Sequence, residues 1–500
     1  MYKKILSLIL AAVMTASILV SCKSGGDTSN TSSSTVEAVT DPEILAINDY
    51  LSDLAEQFNY DGVSFTYGGE GGQTAEYEEE TGNIENDALY FRQRELEELF
   101  GITWQSKKIT GYDDGVTTNL AVFVKEAVMA GQQDYDLVYG NPISVGAVLF
   151  VENSLMDVSG FSTVNLEKEW WNASLPERYS FAGRMFFLTG SAVTNYFGDS
   201  SCILFNKEVL EDYGIEEPYS FVKDGSWTFD KMFELASTVP LNTSGSGTYR
   251  YGEPNGLAIL FAHGYGITSF DDEGNPYVEA SLPMYLSDIA DKYSVIMSDD
   301  VQSVHLKGLN GMGHQEDYNE KYGYEGSEEM FTDGMILFQF ATTGTAADLR
   351  KNEVLFGIVP VPKGDASQES YYSFANNWSS SFIYVPRCTK DIQMVDVIIE
   401  AMGALGHKHI KPAYYDKILK GRSIYDSDSK EMIDIVFENK IYDMADMYAG
   451  GNIHTPGKFI SAIKYAIDDD SSSLATNYFV YSKLANRQIE KLKKSLESFD

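Results

Sequence analysis

The chain has 500 residues, with 37 Lys and Arg against 74 Asp and Glu, a formal net charge of −37. So acidic a body excludes binding to nucleic acid or to an anionic membrane surface by charge, because both need a cationic face. At 43% hydrophobic and 13% aromatic it can build a large core, and its length argues for two domains.

"MYKK" is a short cationic start, and residues 5–20, "ILSLILAAVMTASILV", carry no charge. That run falls short of the ~20 apolar residues of a spanning helix. With the basic start it reads as a secretion signal over residues 1–21. Leu19-Val20-Ser21-Cys22 then puts a small residue before a cysteine. The stretch resembles the lipobox of bacterial lipoproteins, which implies an acylated Cys22 as the new N-terminus. Residues 22–42 are rich in Ser and Thr and poor in large apolar side chains. They cannot bury enough surface to offset chain entropy and read as a flexible tether. The expected location is the extracellular face of the cell membrane, held there by lipid. Cys202 and Cys388 are the remaining cysteines. A disulfide between them is open, and two buried thiols are favoured.

Apolar residues at 44, 45, 47, 51, 54, 55 and 58 predict an amphipathic helix over 43–58. "GVSFTYGG", 62–69, predicts a strand, and 76–87 a solvated acidic loop. Residues 88–104 read as a helix capped by Gly101 and then a strand. A helix over 116–130 and a buried strand over 134–141 follow. This β-α-β-α-β order predicts an α/β layer with a parallel sheet. Further on, 201–215 reads as strand then helix, and 226–239 as a helix with Thr228 as N-cap. Helices are predicted at 281–299, 394–405, 429–448 and 474–498, and strands at 356–364 and 379–386. There is no internal repeat.

No catalytic signature stands out. The chain lacks a G-x-x-x-x-G-K-[ST] phosphate loop, an H-E-x-x-H zinc motif and a G-x-S-x-G nucleophile turn. "GLNGMG", 308–313, lacks strand-to-helix context and reads as a plain loop. "HKH", 407–409, reads as a surface pair rather than a metal site. With 74 acids some pair always lies close, so paired carboxylates carry no information about a glycosidase. The chain therefore reads as a non-enzyme that needs no cofactor or metal.

Seven stretches in order resemble family 1 of the extracellular solute-binding proteins of ABC importers. They are "AGQQDYDLVYGN" (130–141), "CILFNKEVLEDYGI" (202–215), "PYSFVKDGSWTFDKMFELA" (218–236), "SFDDEGNPYVEAS" (269–281), "MFTDGMILFQFATTG" (330–344), "FGIVPVPKG" (356–364) and "FIYVPRCTKDIQMVDVIIEAM" (382–402). The resemblance implies a type II periplasmic-binding-protein-like α/β fold, two lobes joined at a hinge with a ligand cleft between them. It implies lobe 1 at 43–190 plus 380–430 and lobe 2 at 195–375 plus 431–500. It also implies a small solute as ligand, with a carbohydrate favoured, and ABC permease subunits as partners of a monomer. A non-sugar receptor (peptide or polyol) and a surface glycan-binding protein without transport are the alternatives. The segments 309–330 and 412–432 exceed the compact family members and read as added surface.

Sugars offer polar edges and flat C–H faces, so their sites combine aromatic platforms with hydrogen-bonding groups. Four stretches meet that condition where the resemblance puts the cleft. They supply Tyr139 and Asn141, Trp170 and Trp171, Phe340 and Thr343, and Asn377 and Trp378. Trp227 reads as core, because the helix starting beside it must pack.

Overall fold

The computed structural model describes residues 41–70, 79–111, 118–243, 247–252, 255–297, 302–304, 326–352, 354–375, 379–419, 427–445, 463 and 471–497. Helix α1 (Pro42–Gln57) buries Ile47, Leu51 and Leu54, one stripe of a 3.6-residue period. Strand β1 (Val63–Glu70), helix α2 (Ile84–Phe100), strand β2 (Ile102–Ile109), helix α3 (Asn119–Ala130) and strand β3 (Leu137–Gly140) follow. The α2 helix begins inside the stretch read as an acidic loop. Asn83 caps it, its side chain accepting from the N–H groups of Glu85 and Asn86. Gly101 ends it at φ 62°, the left-handed turn that a glycine adopts without penalty.

The second half opens with β4 (Ser201–Asn206) and α4 (Phe229–Ala236). As read, Thr228 caps α4 by accepting from the Lys231 N–H, and Trp227 is core, its indole N–H on the Pro360 carbonyl at 2.9 Å. Then come β5 (Tyr249–Gly252), β6 (Ser303–Val304), β7 (Ile336–Thr342), α5 (Thr343–Leu349) and β8 (Phe356–Pro360). The chain returns through β9 (Phe382–Tyr384) and closes with α6 (Ile392–Leu419), α7 (Ser427–Glu438) and α8 (Leu474–Glu497).

Two sheets result. The first has order β9-β3-β1-β2, with β1 parallel to both neighbours and β9 antiparallel to β3. Every residue of β3 is buried, as expected of a strand covered on both faces. The second has order β6-β5-β7-β4-β8, in which β4 runs antiparallel to β7 and β8. The fold is α/β, built on these two main sheets.

Three readings need correction. The helix expected at 394–405 runs 28 residues, to Leu419, and so takes in part of the segment read as added surface. It passes Gly403 and Gly406, where it packs so closely that a Cβ at Gly406 would lie 1.8 Å from the Ser191 carbonyl oxygen. The helix expected over 429–448 ends at Glu438, and Lys440–Ile441 is a strand beside Ser373–Phe374. His407 of "HKH" is buried, while Lys408 and His409 both meet Glu95, at 2.6 and 2.7 Å. Cys202 and Cys388 are both free thiols, Cys202 buried and Cys388 partly so. No described helix is long and apolar enough to cross a membrane.

Candidate functional site

The chain crosses between the sheets along segments that lie side by side. Crossing one (residues 188–200) lies antiparallel to the described ends of crossing two (375 and 379–383) through the bridges Leu188–Ile383 and Ser200–Ala375. Lys440–Ile441 adds a third segment next to Ser373–Phe374. Strand ends converge on this ribbon. The carboxyl end of β3 meets β9 where Gly140 pairs with Phe382, and Thr342 at the end of β7 pairs with Ser201. Ligands of α/β sheets bind outside such carboxyl ends and between lobes.

Tyr139 stands at that junction. Its ring is buried, and its hydroxyl lies 2.7 Å from Thr194 Oγ1 and donates to Asn195 Oδ1 at 3.2 Å. Asn195 in turn donates to the Ser379 carbonyl on crossing two. One amide therefore links strand end and both crossings. Burial raises the Tyr139 hydroxyl's pKa, so it stays a neutral donor. Two residues on, Asn141 accepts from the N–H groups of Ile143 and Ser144 at 2.7 and 3.0 Å. It thus opens the short π-helical turn Pro142–Gly146 rather than reaching outward with its oxygen.

On the other lobe Thr343 is buried. It donates its hydroxyl hydrogen to the Phe197 carbonyl and its N–H to the Ser200 carbonyl, stitching α5 to crossing one. Phe340 is buried in β7 opposite Ile203. Trp170 and Trp171 adjoin crossing one through their backbone, Trp171 bridging Gly190 and the Trp170 carbonyl accepting from the Ser191 N–H at 2.8 Å, but their rings turn to α6. They are 4% and 3% exposed, and both indole N–H groups donate to Glu400 on α6, at 3.2 and 2.9 Å. Neither offers an open ring face in this structure. Asn377, Trp378 and Cys22 lie outside the described residues.

The structure therefore brings Tyr139, Asn141 and Thr343 to the crossings and holds the tryptophan pair between crossing one and α6. Sequence reasoning missed Thr194 and Asn195, whose polar loop carries no local signal. It also missed the ion pair of Asp199 and Lys440 beneath the crossings, at 2.5 Å with both side chains enclosed. Arg92 was missed although a signal existed: it falls on the buried stripe Ala88, Leu96 and Phe100 of α2. The site offers hydroxyl, amide and guanidinium groups, a hydrogen-bonding set suited to a polar solute.

No protein-family model matches the chain, and no curated protein is similar in sequence. Solved structures are similar in fold. A sugar transporter protein from Rhizobium etli in an open conformation shares 12% identity at a TM-score of 0.53, over 86% of this chain and 99% of that one. RafE from Streptococcus pneumoniae shares 14% at 0.51, over 85% and 99%. An ABC substrate-binding protein from Listeria monocytogenes, in complex with cycloalternan, shares 11% at 0.50, over 87% and 100%. The chain thus has the two-lobed α/β fold of the solute-binding proteins of ABC importers.

Proposed function

We propose that this chain is a receptor that captures a carbohydrate between its lobes and presents it to an ABC permease, tethered to the cell surface through Cys22. One observation carries the reading: two sheets whose strand ends meet on a shared ribbon of crossings with a polar floor. Proteins with the same fold include one in complex with cycloalternan and a sugar transporter protein. Such a receptor works by hinge closure, in which ligand favours the closed state by its differential affinity. It carries out no chemistry on its ligand. The tether reading rests on the apolar run ahead of Cys22 and the Ser/Thr stretch behind it.

A thermal-shift panel of mono- and oligosaccharides tests the receptor role, because a ligand that binds only the native state raises the melting temperature. Small-angle scattering at saturation should show a smaller radius of gyration. No shift with any saccharide, or an unchanged profile at proven saturation, overturns the reading. Mass spectrometry of the membrane fraction checks the anchor. A free Cys22 thiol there removes the tether.

A further inference from the structure

Arg92 is a charge without an anion partner among the described residues. It sits mid-helix in α2 and is 6% exposed. A guanidinium has five N–H donors. Among the described residues it makes one hydrogen bond, from Nη1 to the Ala192 carbonyl at 2.7 Å. Its Nε is buried with no partner. The titratable groups near it among the described residues are the phenols of Tyr67 and Tyr139, with no carboxylate. Burial lowers its pKa, as for any cation taken out of water without a counter-charge.

Its position matches the candidate site. Ala192 lies on crossing one, and Tyr139 ties its hydroxyl to Thr194 and Asn195 of the same crossing. The Tyr67 and Tyr139 rings lie 5.8 Å apart. The guanidinium thus stands where the ends of β1 and β3 meet the floor between the lobes. The Oγ atoms of Ser200 on crossing one and Ser380 on crossing two are also buried without a partner among the described residues. Buried polar atoms normally find one, so this floor is under-satisfied.

We propose that Arg92 is the recognition point for the carboxylate of an acidic, uronate-containing saccharide. With Nη1 committed to Ala192, Nε and Nη2 form the edge left for the ligand. Arginine suits this task because its planar fork matches a carboxylate. The proposal rests on the carbohydrate-receptor reading and narrows it to acidic sugars. It also assigns a reason for one buried cation in a chain with a formal charge of −37. The rest of that charge repels an acidic ligand, and a local cation offsets the repulsion at the floor.

Isothermal titration calorimetry with galacturonate and glucuronate mono-, di- and trisaccharides, their methyl esters and the neutral sugars tests this. The free acid should bind roughly 10–100-fold tighter than its ester, the range of a charge-assisted hydrogen bond. Arg92→Gln should erase that ratio, and Arg92→Lys should keep part of it. A merely structural Arg92 lowers the ligand-free melting temperature and leaves the acid-to-ester ratio untouched, which overturns the proposal. If Arg92→Gln fails to fold, the wild-type ratio decides, and a ratio near one overturns the proposal. Binding of neutral sugars alone overturns it and keeps the receptor reading. Binding of no saccharide overturns both.

Discussion

Asp199 and Lys440, 241 positions apart in the chain, form an ion pair at 2.5 Å with side-chain exposures of 1% and 0%. The Tyr442 hydroxyl donates to the second Asp199 oxygen at 3.1 Å, and the ammonium stands 3.8 Å over the Tyr196 ring. Lys440 also donates to the Tyr196 carbonyl. The pair joins crossing one to the third segment, so it pins the pivot about which the lobes would move. Burial pulls the Lys440 pKa down, opposed by the attraction of Asp199.

Lys440→Met leaves Asp199 buried with its charge unanswered. Breaking one side of a buried pair costs about 3–5 kcal/mol. Adding Asp199→Asn removes the stranded charge and should recover a good part of that loss. Urea unfolding of both variants and the wild type measures the difference. A Lys440→Met loss under 1 kcal/mol would show the pair to be incidental.

Glu400 is enclosed on α6 and accepts from Tyr50, Trp170, Trp171 and the Asn165 N–H. Glu400→Gln puts an amide among those donors, and a loss of about 1–3 kcal/mol is expected. Burial is the largest influence on this carboxyl and raises its pKa above 4.5, against the pull of the donors. The fold therefore favours the protonated form. The stability linked to this titration is present below about pH 4.5 and is lost as pH rises through the higher folded value. The wild-type advantage over Glu400→Gln should grow as pH is lowered from 7 toward 4.5. Parallel melts across that range check it, and an advantage that shrinks instead refutes the account.

Glu95 has the opposite sign. Burial raises its pKa, but hydrogen bonds from His409 and Lys408 outweigh that and hold it below 4.5. Its contribution is present above that ordinary value and is lost as pH falls through the lower folded one. Glu95→Gln should therefore lose stability at pH 7 and match the wild type in strong acid. A gap that stays constant through the acid range would exclude this linkage.

Gly406→Ala tests the approach of α6 to crossing one. The added Cβ would meet the Ser191 carbonyl carbon and oxygen at 2.5 and 1.8 Å, and both are backbone atoms that cannot rotate away. Overpacking of this kind costs about 1–3 kcal/mol or more. Because the displaced segment is part of the crossings, ligand affinity should fall with the melting temperature. A variant as stable as the wild type would mean that the helix and crossing can separate freely.

Much of the local structure was legible in the residues. Apolar spacing marked α1, Gly101 marked a helix end, and Thr228 marked a start. These signals act over one helical turn or one strand pair, so a sequence carries them directly. The alternation of strand and helix up to residue 141 then sufficed for the α/β class.

Side-chain roles at the site were decided only by tertiary packing. Trp170 and Trp171 looked like sugar platforms, yet their partner is a carboxylate about 230 positions away. The same holds for Asp199 with Lys440 and for Arg92 with the Ala192 carbonyl, 100 positions on. A tryptophan, a lysine or an arginine reads alike in sequence whether it faces solvent, a ligand or a buried acid. What separates those cases is desolvation and the partner that offsets it, and both arise only when distant segments pack. Helix α6 makes the point at element scale: Gly403 and Gly406 argue locally for a helix end near 405. Close packing against the Trp170 ring and the Ser191 carbonyl instead uses their missing side chains and carries the helix on to Leu419.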